Sequence, residues 1–314
     1  MQDSLFDLTW SETHENQVLV ASGDGSVKLF DVALDEFPVS SWQEHNREVF
    51  AVHWNLVSKD SFCSSSWDGT VKVVRISVLL RLAARMLMTT VKWSPNRSTS
   101  LLTLPIHSCT YSAVYSPHDP SLLSCVSSDS YFRLFDLRTP ASASNHLALS
   151  IPIHSPQQRM PSTASATGPN VQPTAFPPAE ALTHDWNKYR DSVIATAGVD
   201  RLIRTFDIRA PHQGPSAVLD GHDYAIRRLA WSPHLSDMLL SASYDMTCRI
   251  WSDGTQMAKG GSIGRAMELG RMERHTEFVV GIDWCLFGNE GWVASVGWDE
   301  RLCVWDIRDV IRPS

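Results

Sequence analysis

The chain repeatedly alternates apolar and polar residues over short stretches, and each stretch ends on an aromatic residue. Alternation with a period of two is typical of a half-buried β-strand, and many short strands at regular spacing predict an all-β fold. An aspartate in a predicted turn follows the aromatic residue, fourteen residues later in five cases and fifteen in the sixth. The pairs are Trp10 and Asp24, Trp54 and Asp68, Tyr115 and Asp129, Trp186 and Asp200, Trp231 and Asp245, and Trp284 and Asp299. The pattern therefore predicts one β unit repeated six times.

Two further spacings recur in the same repeats. A second aromatic residue follows the turn aspartate by six residues in five repeats, and only the second repeat departs from this, with Val74. These second aromatic residues are Phe30, Phe135, Phe206, Trp251 and Trp305. A histidine precedes the aspartate by 22 to 24 residues in four repeats. The histidines are His45, His107, His222 and His275. Agreement of several spacings at a fixed period indicates a repeat architecture.

By these spacings the chain resembles the WD40 family, in which each repeat is a four-stranded blade of a β-propeller. The resemblance implies an all-β fold class, a WD40 β-propeller with six recognisable repeats. It also implies that each turn aspartate accepts hydrogen bonds from the histidine and from backbone N–H groups, so that both residues are structural. The residues given this role are Asp24, Asp68, Asp129, Asp200, Asp245, Asp299, His45, His107, His222 and His275.

Charge and cysteine usage narrow the possible functions. The formal net charge is −7 and no long basic run is present, which disfavours a nucleic-acid backbone or an anionic membrane as partner and favours a cationic one. The six cysteines form no CxxC pair and no zinc-ligand spacing, so we expect no metal and no cofactor. We find no HExxH and no Gly-x-Ser-x-Gly motif, and we therefore expect a protein that is not an enzyme.

The location of the protein is predicted from its N-terminus and its most apolar stretch. The N-terminal residues lack the basic and apolar parts of a secretory signal, which predicts a cytosolic protein. Residues 76–91 are the most apolar stretch, but they are shorter than a membrane span and contain Arg81 and Arg85. We therefore expect no direct membrane insertion.

One segment interrupts the second repeat of what we predict to be a single propeller over residues 1–314. Deleting residues 74–92 would restore the spacing of that repeat, so we predict that these residues are foreign to it. One hypothesis is that they are translated intron. The alternative is an amphipathic loop helix with Leu79, Leu82 and Met86 on one stripe.

Two other segments lengthen later repeats. Residues 155–180 are rich in proline and serine and almost uncharged, which predicts a disordered loop. His154, just before this loop, is then the displaced histidine of its repeat. Residues 255–271 contain a glycine-rich run and are predicted to form a flexible loop. The glycines lack the Lys-Ser/Thr ending of a phosphate-binding loop, so nucleotide binding is not expected there.

Alignment of the repeats on their first aromatic residue identifies positions that form one face of a propeller. These positions are four and six residues before the aromatic residue and one residue before the turn aspartate. The candidate binding residues there are Phe6, Glu48, Phe50, Trp67, Tyr111, Glu180, Arg227, Tyr244, Phe278 and Trp298, with Glu277 beside them. Aromatic side chains with a few carboxylates suit an amphipathic helix that carries basic residues. The alternative is that many of these side chains simply pack between blades.

Several stretches resemble one branch of the WD40 family, the receptors for the type-2 peroxisomal import signal. They are LFDLTWS at 5–11, SGDGS at 22–26, EHNREV at 44–49, GHDYAIRR at 221–228 and HTEF at 275–278. The resemblance implies a receptor that shuttles from the cytoplasm to the peroxisome and holds a short helix near the N-terminus of its cargo. By position, Glu48 is expected to pair with the basic residue of that helix, between apolar walls formed by Phe50 and Trp67.

The partners implied by the resemblance are cargo proteins with this signal, an import co-receptor and the peroxisomal docking complex. The family is expected to have seven blades, with one before the first repeat seen here, so either the sequence is truncated or the propeller closes with six. The alternative function is that of a generic WD40 scaffold, such as a substrate adaptor of a ubiquitin ligase or a subunit of a chromatin complex. Nucleic acid is not expected as a direct ligand.

Overall fold

The computed structural model describes residues 3–34, 38–75, 100–140, 145–154, 178–255, 265–286, 288 and 290–311. These residues fall into two compact units. Unit 1 comprises Met1–Ser127 and Phe132–Ser150, and unit 2 comprises Ser128–Tyr131 and Ile151–Ser314. Unit 1 therefore holds the first two repeats and most of the third, and unit 2 holds the last three.

Each repeat forms one antiparallel sheet, which we call a blade. Blade 1 contains β1 (Leu5–Trp10), β2 (Gln17–Ser22), β3 (Ser26–Asp31) and β4 (Ser40–Gln43). Blade 2 contains β5 (Val49–Trp54), β6 (Ser61–Ser66), β7 (Thr70–Arg75) and β8 (Leu102–Pro105). Blade 3 contains β9 (Thr110–Tyr115), β10 (Leu122–Ser127), β11 (Tyr131–Asp136) and β12 (Leu147–Pro152). In all three blades the strands are adjacent in chain order, as in a β-meander.

The last three blades follow the same order. Blade 4 contains β13 (Ala181–Trp186), β14 (Val193–Gly198), β15 (Ile203–Asp207) and β16 (Ala217–Leu219). Blade 5 contains β17 (Ile226–Trp231), β18 (Met238–Ser243), β19 (Cys248–Ser252) and β20 (Met267–Met272). Blade 6 contains β21 (Val279–Trp284), β22 (Trp292–Gly297) and β23 (Leu302–Asp306), so it has three strands within the described ranges. Short 3-10 turns lie at Pro211–Gln213 and Ile307–Asp309. In the described part of the chain, no helix has the length and apolar character needed to cross a membrane.

The repeat aromatic residues form the contacts between successive blades. Between blades 5 and 6, Ile250 packs in one buried cluster with Ile282 and Trp284. Between blades 1 and 2, Leu29 packs in a similar cluster with Trp54. Full burial of one such side chain stabilises the fold by roughly 1.5–3 kcal/mol. The blades within each unit are thus held face to face by the alternating apolar residues of their strands.

The outer face of blade 6 is apolar and exposed. Leu302 and Val304 are 67% and 54% exposed, whereas the corresponding residues of blade 5, Cys248 and Ile250, are fully buried against blade 6. The strand β23 therefore keeps the apolar residues of the repeat at positions 302 and 304, although these side chains are exposed to water.

The structure corrects the start of the predicted extra segment at residues 74–92. Val74 and Arg75 belong to β7, and Val74 is buried opposite Phe62. Phe30 lies opposite Val18 in the same register of blade 1, so Val74 takes the place of the repeat aromatic residue. The rest of the segment, with the alternative helix, lies outside the described residues.

The two predicted loops are also shorter than expected at their ends. The strand β20 (Met267–Met272) begins inside the loop predicted at 255–271 and pairs with β19. Gly270 made this strand hard to recognise, and the glycine is required because a Cβ atom there would collide with the carbonyl oxygen of Val310. At the end of the loop predicted at 155–180, the N–H of Ala179 donates to the carbonyl oxygen of His154 at 3.2 Å. Residues 155–177 and 256–264 lie outside the described residues.

Candidate functional site

A hydrogen-bonded lock of histidine and aspartate fixes the turn between the second and third strands of blade 2. His45 Nδ1 donates to Asp68 Oδ2 at 2.9 Å, and His45 Nε2 lies 2.8 Å from the Ser64 hydroxyl. The Thr70 hydroxyl and the Asn46 N–H also donate to Asp68, at 2.6 and 3.1 Å. The locks of blades 5 and 6 repeat this geometry. Their His–Asp distances are 2.7 Å for His222 and Asp245 and 3.0 Å for His275 and Asp299.

Blade 4 has the same lock although its histidine lies far away in the sequence. His154 Nδ1 lies 2.9 Å from Asp200 Oδ1, and the buried guanidinium of Arg204 donates to the other carboxylate oxygen at 2.5 Å. His154 Nε2 lies 3.2 Å from the Thr196 hydroxyl. The histidine displaced by the insertion at 155–180 therefore returns to the turn of its own repeat.

Blades 1 and 3 depart from this arrangement. Asp24 accepts from Lys28 at 2.6 Å and from the Ser26 N–H at 2.9 Å, and Asp129 accepts from the N–H of Tyr131 at 3.2 Å. His107 does not take the buried position of the other repeat histidines, because its side chain is exposed and its φ is 64°. It precedes its aromatic residue by eight residues, whereas the histidines of blades 2, 5 and 6 precede theirs by nine. The structural role expected for His107 is thus wrong, and this one-residue difference is the reason.

The turn after the repeat aspartate has a left-handed backbone in every blade, and this backbone is strained in the four blades where the residue is not glycine. The residue after the turn aspartate has a φ between 61° and 83° in all six blades. These residues are Gly25, Gly69, Ser130, Arg201, Met246 and Glu300. A non-glycine residue in this left-handed region costs roughly 1–2 kcal/mol, so the hydrogen bonds to the aspartate must offset that cost. The residue just before the aspartate is consequently held on a rigid support.

The charge states of the locks follow from burial and hydrogen bonding. Burial alone would raise the pKa of the Asp68 carboxyl, but hydrogen bonds, led by the one from His45, hold its pKa well below the usual value. The same balance lowers the pKa of Asp245. Burial lowers the pKa of the His222 and His154 imidazoles and outweighs their aspartate partners, which raise it. At neutral pH these two locks therefore join a neutral imidazole to a carboxylate. Among the described residues, no group of three or more His, Cys, Asp or Glu could hold a metal ion.

Four of the candidate binding residues form an aromatic cluster in unit 1, which we call the unit 1 cluster. Phe50 is at its centre, with its ring stacked on Phe6 at 4.4 Å and on Trp67 at 4.6 Å between centroids. Tyr111 packs edge-on against Phe50 and Trp67, at 5.5 and 6.0 Å. Phe50 is only 9% exposed, while the other three rings are half-buried. The rings come from β1, β5, β9 and the locked turn of blade 2, and they therefore line up across three neighbouring blades of unit 1.

Two charged side chains lie at the edge of the unit 1 cluster. Glu48 is anchored by its carbonyl oxygen, which accepts from the Trp67 N–H at 3.1 Å, and its carboxylate is 36% exposed. Arg47 Nε lies 3.6 Å from Glu48 Oε2, and its guanidinium lies 5.3 Å above the centre of the Trp67 ring. Cys109 Sγ lies 3.7 Å from the Trp67 carbonyl oxygen. Sequence reasoning did not select Arg47, although its place next to Glu48 was a usable signal.

The remaining candidates lie in unit 2. Tyr244, Phe278 and Trp298 form a second group of rings, the unit 2 cluster, with centroid distances of 4.9, 5.2 and 6.4 Å and tilted planes. Trp298 is 62% exposed, and its N–H donates to the Phe278 carbonyl oxygen at 2.9 Å. Glu277 is exposed beside Phe278, while Glu180 and Arg227 are half-buried at the first strands of blades 4 and 5. In the unit 2 cluster, Phe278 thus places a ring at the repeat position where blade 2 carries Glu48.

Comparison with known proteins places these features in a family. The model described as "WD domain, G-beta repeat", of the family WD40, matches residues 36–74, 213–252 and 267–306. These matches fall on the repeats of blades 2, 5 and 6. The predicted fold class, an all-β WD40 β-propeller with six blades, is confirmed.

Similar proteins cover nearly the whole chain. The peroxisomal targeting signal 2 receptor of Saccharomyces cerevisiae is 39% identical over 97% of this chain and 84% of its own length. The receptor of the same name from Schizosaccharomyces pombe is 32% identical over 98% of the chain and 81% of its own length. The one from Homo sapiens is 33% identical over 89% and 70%. With this identity across all six repeats, the chain belongs to the family of peroxisomal targeting signal 2 receptors, which is built from WD40 repeats.

Proposed function

We propose that this protein is an import receptor that binds the type-2 targeting signal of peroxisomal matrix proteins. The observation that carries the proposal is the unit 1 cluster, where Phe50 and Trp67 form a stacked aromatic surface beside the carboxylate of Glu48. The names of the relatives support the class of ligand, because each is called a receptor for this signal. The proposed activity is binding and involves no catalysis.

The unit 1 cluster suits a short amphipathic helix with one basic residue. Aromatic rings contribute a large apolar area at low cost in side-chain entropy, which makes them effective anchors for the apolar face of a helix. Phe6 and Tyr111 extend the ring surface on either side of Phe50. In our proposal the aliphatic side chains of the signal lie on this surface and its basic residue pairs with Glu48.

Rigidity of the support favours specific binding. Trp67 directly precedes the locked aspartate of blade 2, and its N–H donates to the carbonyl oxygen of Glu48, which lies just before β5. Ring and carboxylate are therefore held at a fixed separation before the ligand arrives, which reduces the entropy lost on binding. The net charge of −7 would also attract a basic helix and increase its association rate.

The cellular setting is part of the proposal. We infer a cytoplasmic receptor that moves to the peroxisome with its cargo, assisted by a co-receptor that covers the bound helix and by a docking complex at the organelle. These steps are suggested by the resemblance of the repeats.

The test is a binding titration with a fluorescent helix of the form Arg-Leu-x5-His-Leu, followed by anisotropy. We expect saturable binding to the wild type and a loss of about tenfold or more in affinity for Glu48→Arg, because a buried or semi-buried contact between like charges costs more than 1.4 kcal/mol. Glu12→Arg is the matched control, since Glu12 is a similarly exposed carboxylate of unit 1 that is paired with Lys59 at 3.0 Å.

Two outcomes would contradict the proposal. The first is an absence of binding to a wild-type protein whose cooperative unfolding shows that it is folded. The second is equal loss of affinity in Glu48→Arg and Glu12→Arg, which would mean that net charge matters and the site does not. Either outcome would favour a general WD40 scaffold with other ligands.

A further inference from the structure

Arg47 occupies the place that the proposed function assigns to the basic residue of the ligand. Its guanidinium lies over the Trp67 ring at 5.3 Å and its Nε lies 3.6 Å from Glu48 Oε2. A cation above an aromatic face and next to a carboxylate is stabilised by both, and arginine is the residue that most often does this. The protein therefore carries, within its own chain, a copy of the contact that an arginine of the signal helix would make.

The backbone of Arg47 is fixed by the lock of blade 2. The N–H of the preceding residue, Asn46, donates to Asp68 at 3.1 Å, and the Arg47 carbonyl oxygen accepts from the Ser66 hydroxyl at 3.1 Å. The side chain is 51% exposed, so it can leave the ring without any change in the backbone. Arg47 is thus placed close to the carboxylate and remains free to be displaced.

Blade 6 has the same lock as blade 2 but a different residue at the position of Arg47. In blade 6 the residue that follows the same bonded N–H, that of Thr276, is Glu277, and the next residue is Phe278. Trp298, the counterpart of Trp67, is covered on one side by Phe278 at 5.2 Å. The lock of blade 6 therefore forms with an acid at the position of Arg47, and the repeat alone does not require a cation over Trp67.

We infer that Arg47 is an internal competitor for the basic residue of the ligand and sets the specificity of the site. This inference rests on the proposed function and deepens it. In the free receptor Glu48 and the Trp67 ring are already occupied, so a cation alone gains little by binding. A helix binds well only when its apolar side chains are placed on the rings while its basic residue displaces Arg47. This competition lowers the affinity for basic peptides that lack the apolar side chains of the signal. Contacts with the rings then remain the main source of the binding free energy.

The experiment compares two signal helices that differ at one residue, arginine or its neutral isostere citrulline. The ratio of the Kd for the citrulline helix to the Kd for the arginine helix measures the preference for a cation. For Arg47→Gln we expect this ratio to rise about three- to tenfold over the wild type, the combined effect of an exposed ion pair and a cation–π contact. Arg75→Gln is the matched control, because Arg75 is an exposed arginine of unit 1 paired with Asp60 at 3.2 Å, and it should leave the ratio unchanged.

A second background makes the test specific to Glu48. In Glu48→Gln the ratio should fall, and adding Arg47→Gln to that variant should raise it by less than it does in the wild type, because the two cations then compete only for the Trp67 ring. A rise of the ratio of similar size in both backgrounds would overturn the inference, since Arg47 would then act through long-range repulsion.

The remaining outcomes separate the inference from the proposed function. An unchanged ratio in Arg47→Gln, with normal binding of the arginine helix, would overturn the internal competitor alone. Equal weakening of both helices would overturn it too, because Arg47 would then be a structural support of the Trp67 ring. If neither helix binds to the folded wild type or to any variant, the proposed function itself fails and the inference fails with it.

Discussion

The unit 1 and unit 2 clusters occupy corresponding positions of their repeats but differ in packing and in charge. Trp67 and Trp298 both precede a locked aspartate, and Glu48 and Phe278 both lie six residues before the first aromatic residue of their blade. In unit 1 the rings of Phe50 and Trp67 are nearly parallel, with an interplanar angle of 16°, and a carboxylate lies at their edge. In unit 2 the rings are tilted by 34° to 50°, and Trp298 extends into water.

This difference shows how one scaffold carries two kinds of surface. The lock and the strands fix the backbone from which the side chains at these positions extend. The residue types at those positions then decide which ligands the surface can recognise. In our proposal the unit 1 cluster distinguishes a cationic helix from a neutral one because it has Glu48. The unit 2 cluster, with Phe278 at that position, can offer apolar area but places no carboxylate within the ring group itself.

The largest effect that separates the two units is expected from their locks. Asp245→Ala should reduce the free energy of unfolding by about 3–4 kcal/mol, because it leaves the buried ring of His222 without its carboxylate and leaves the buried guanidinium of Arg249 with Glu268, at 2.9 Å, in place of two carboxylates. Asp68→Ala should cost less, about 2–3 kcal/mol, because it removes hydrogen bonds but leaves no buried guanidinium with fewer partners, since Lys72 stands at the position of Arg249. Urea unfolding measures both, and a larger loss for Asp68→Ala would contradict this ranking.

The next effect concerns ligand binding. Trp67→Ala should weaken binding of the basic signal helix by at least about 2 kcal/mol, roughly thirtyfold, since a half-buried tryptophan within a packed ring group has the character of a binding hot spot. Trp298→Ala, at the matched position of unit 2, should cost less than about 1 kcal/mol. Isothermal titration of both variants is the measurement. Equal losses would mean that the helix contacts both clusters.

The sequence predicted the blades well because their spacings have a direct physical cause. The turn aspartate must meet the histidine that lies nine residues before the first aromatic residue of the repeat. This nine-residue spacing recurs at His45, His222 and His275. The same rule, applied strictly, excludes His107, which is one residue out of register. Ile106 stands at the proper spacing and is the buried residue there.

Other features were beyond the reach of the sequence for equally specific reasons. The strand β20 contains Gly270, and a glycine normally weakens a strand. Here the glycine lets the backbone at Val310 and Ile311 pack against β20, a contact that no spacing along the sequence indicates. The contact of Arg47 with Trp67 joins residues twenty positions apart, and it depends on a side-chain rotamer that no spacing rule predicts. The candidate face was predicted from register and remains a prediction, whereas the grouping of its rings into two clusters depends on side-chain packing in three dimensions.

A third prediction concerns the locks of unit 2 as the pH falls. Burial lowers the pKa of His154 and His222 in unit 2, so the unfolded chain takes up protons more readily than the folded chain below the ordinary pKa of about 6.5. Stability is then lost as the pH falls from about 6.5 towards the lower pKa of the folded state. The aspartates lose their contribution only in stronger acid, because their pKa values are lowered.

His222→Gln should flatten this dependence while keeping a side chain that can bond to Asp245. Urea unfolding at pH values of about 7.5 and 5.5 measures the slope for the wild type and the variant. A slope that is the same in both proteins would show that the His222 lock does not contribute to the acid sensitivity.

The smallest effect is expected at the acid of unit 2. Glu277→Arg should change the affinity for the basic helix by less than about threefold, because an exposed charge outside the binding site acts only through screened, long-range attraction. The comparison with Glu48→Arg, measured by the same anisotropy titration, sharpens the assignment of charge recognition to unit 1. A loss as large as that of Glu48→Arg would place a second cation contact in unit 2.

Photo-crosslinking tests the central claim most directly, that the basic residue of the signal helix binds at the unit 1 cluster. The probe is a signal helix with a benzoylphenylalanine next to its arginine, irradiated with the wild-type protein and mapped by mass spectrometry of the peptides. We predict adducts on the segments that contain Phe50 and Trp67, and their loss when unlabelled helix is added in excess. Competed adducts confined to the segments with Tyr244, Phe278 or Trp298 would contradict the account.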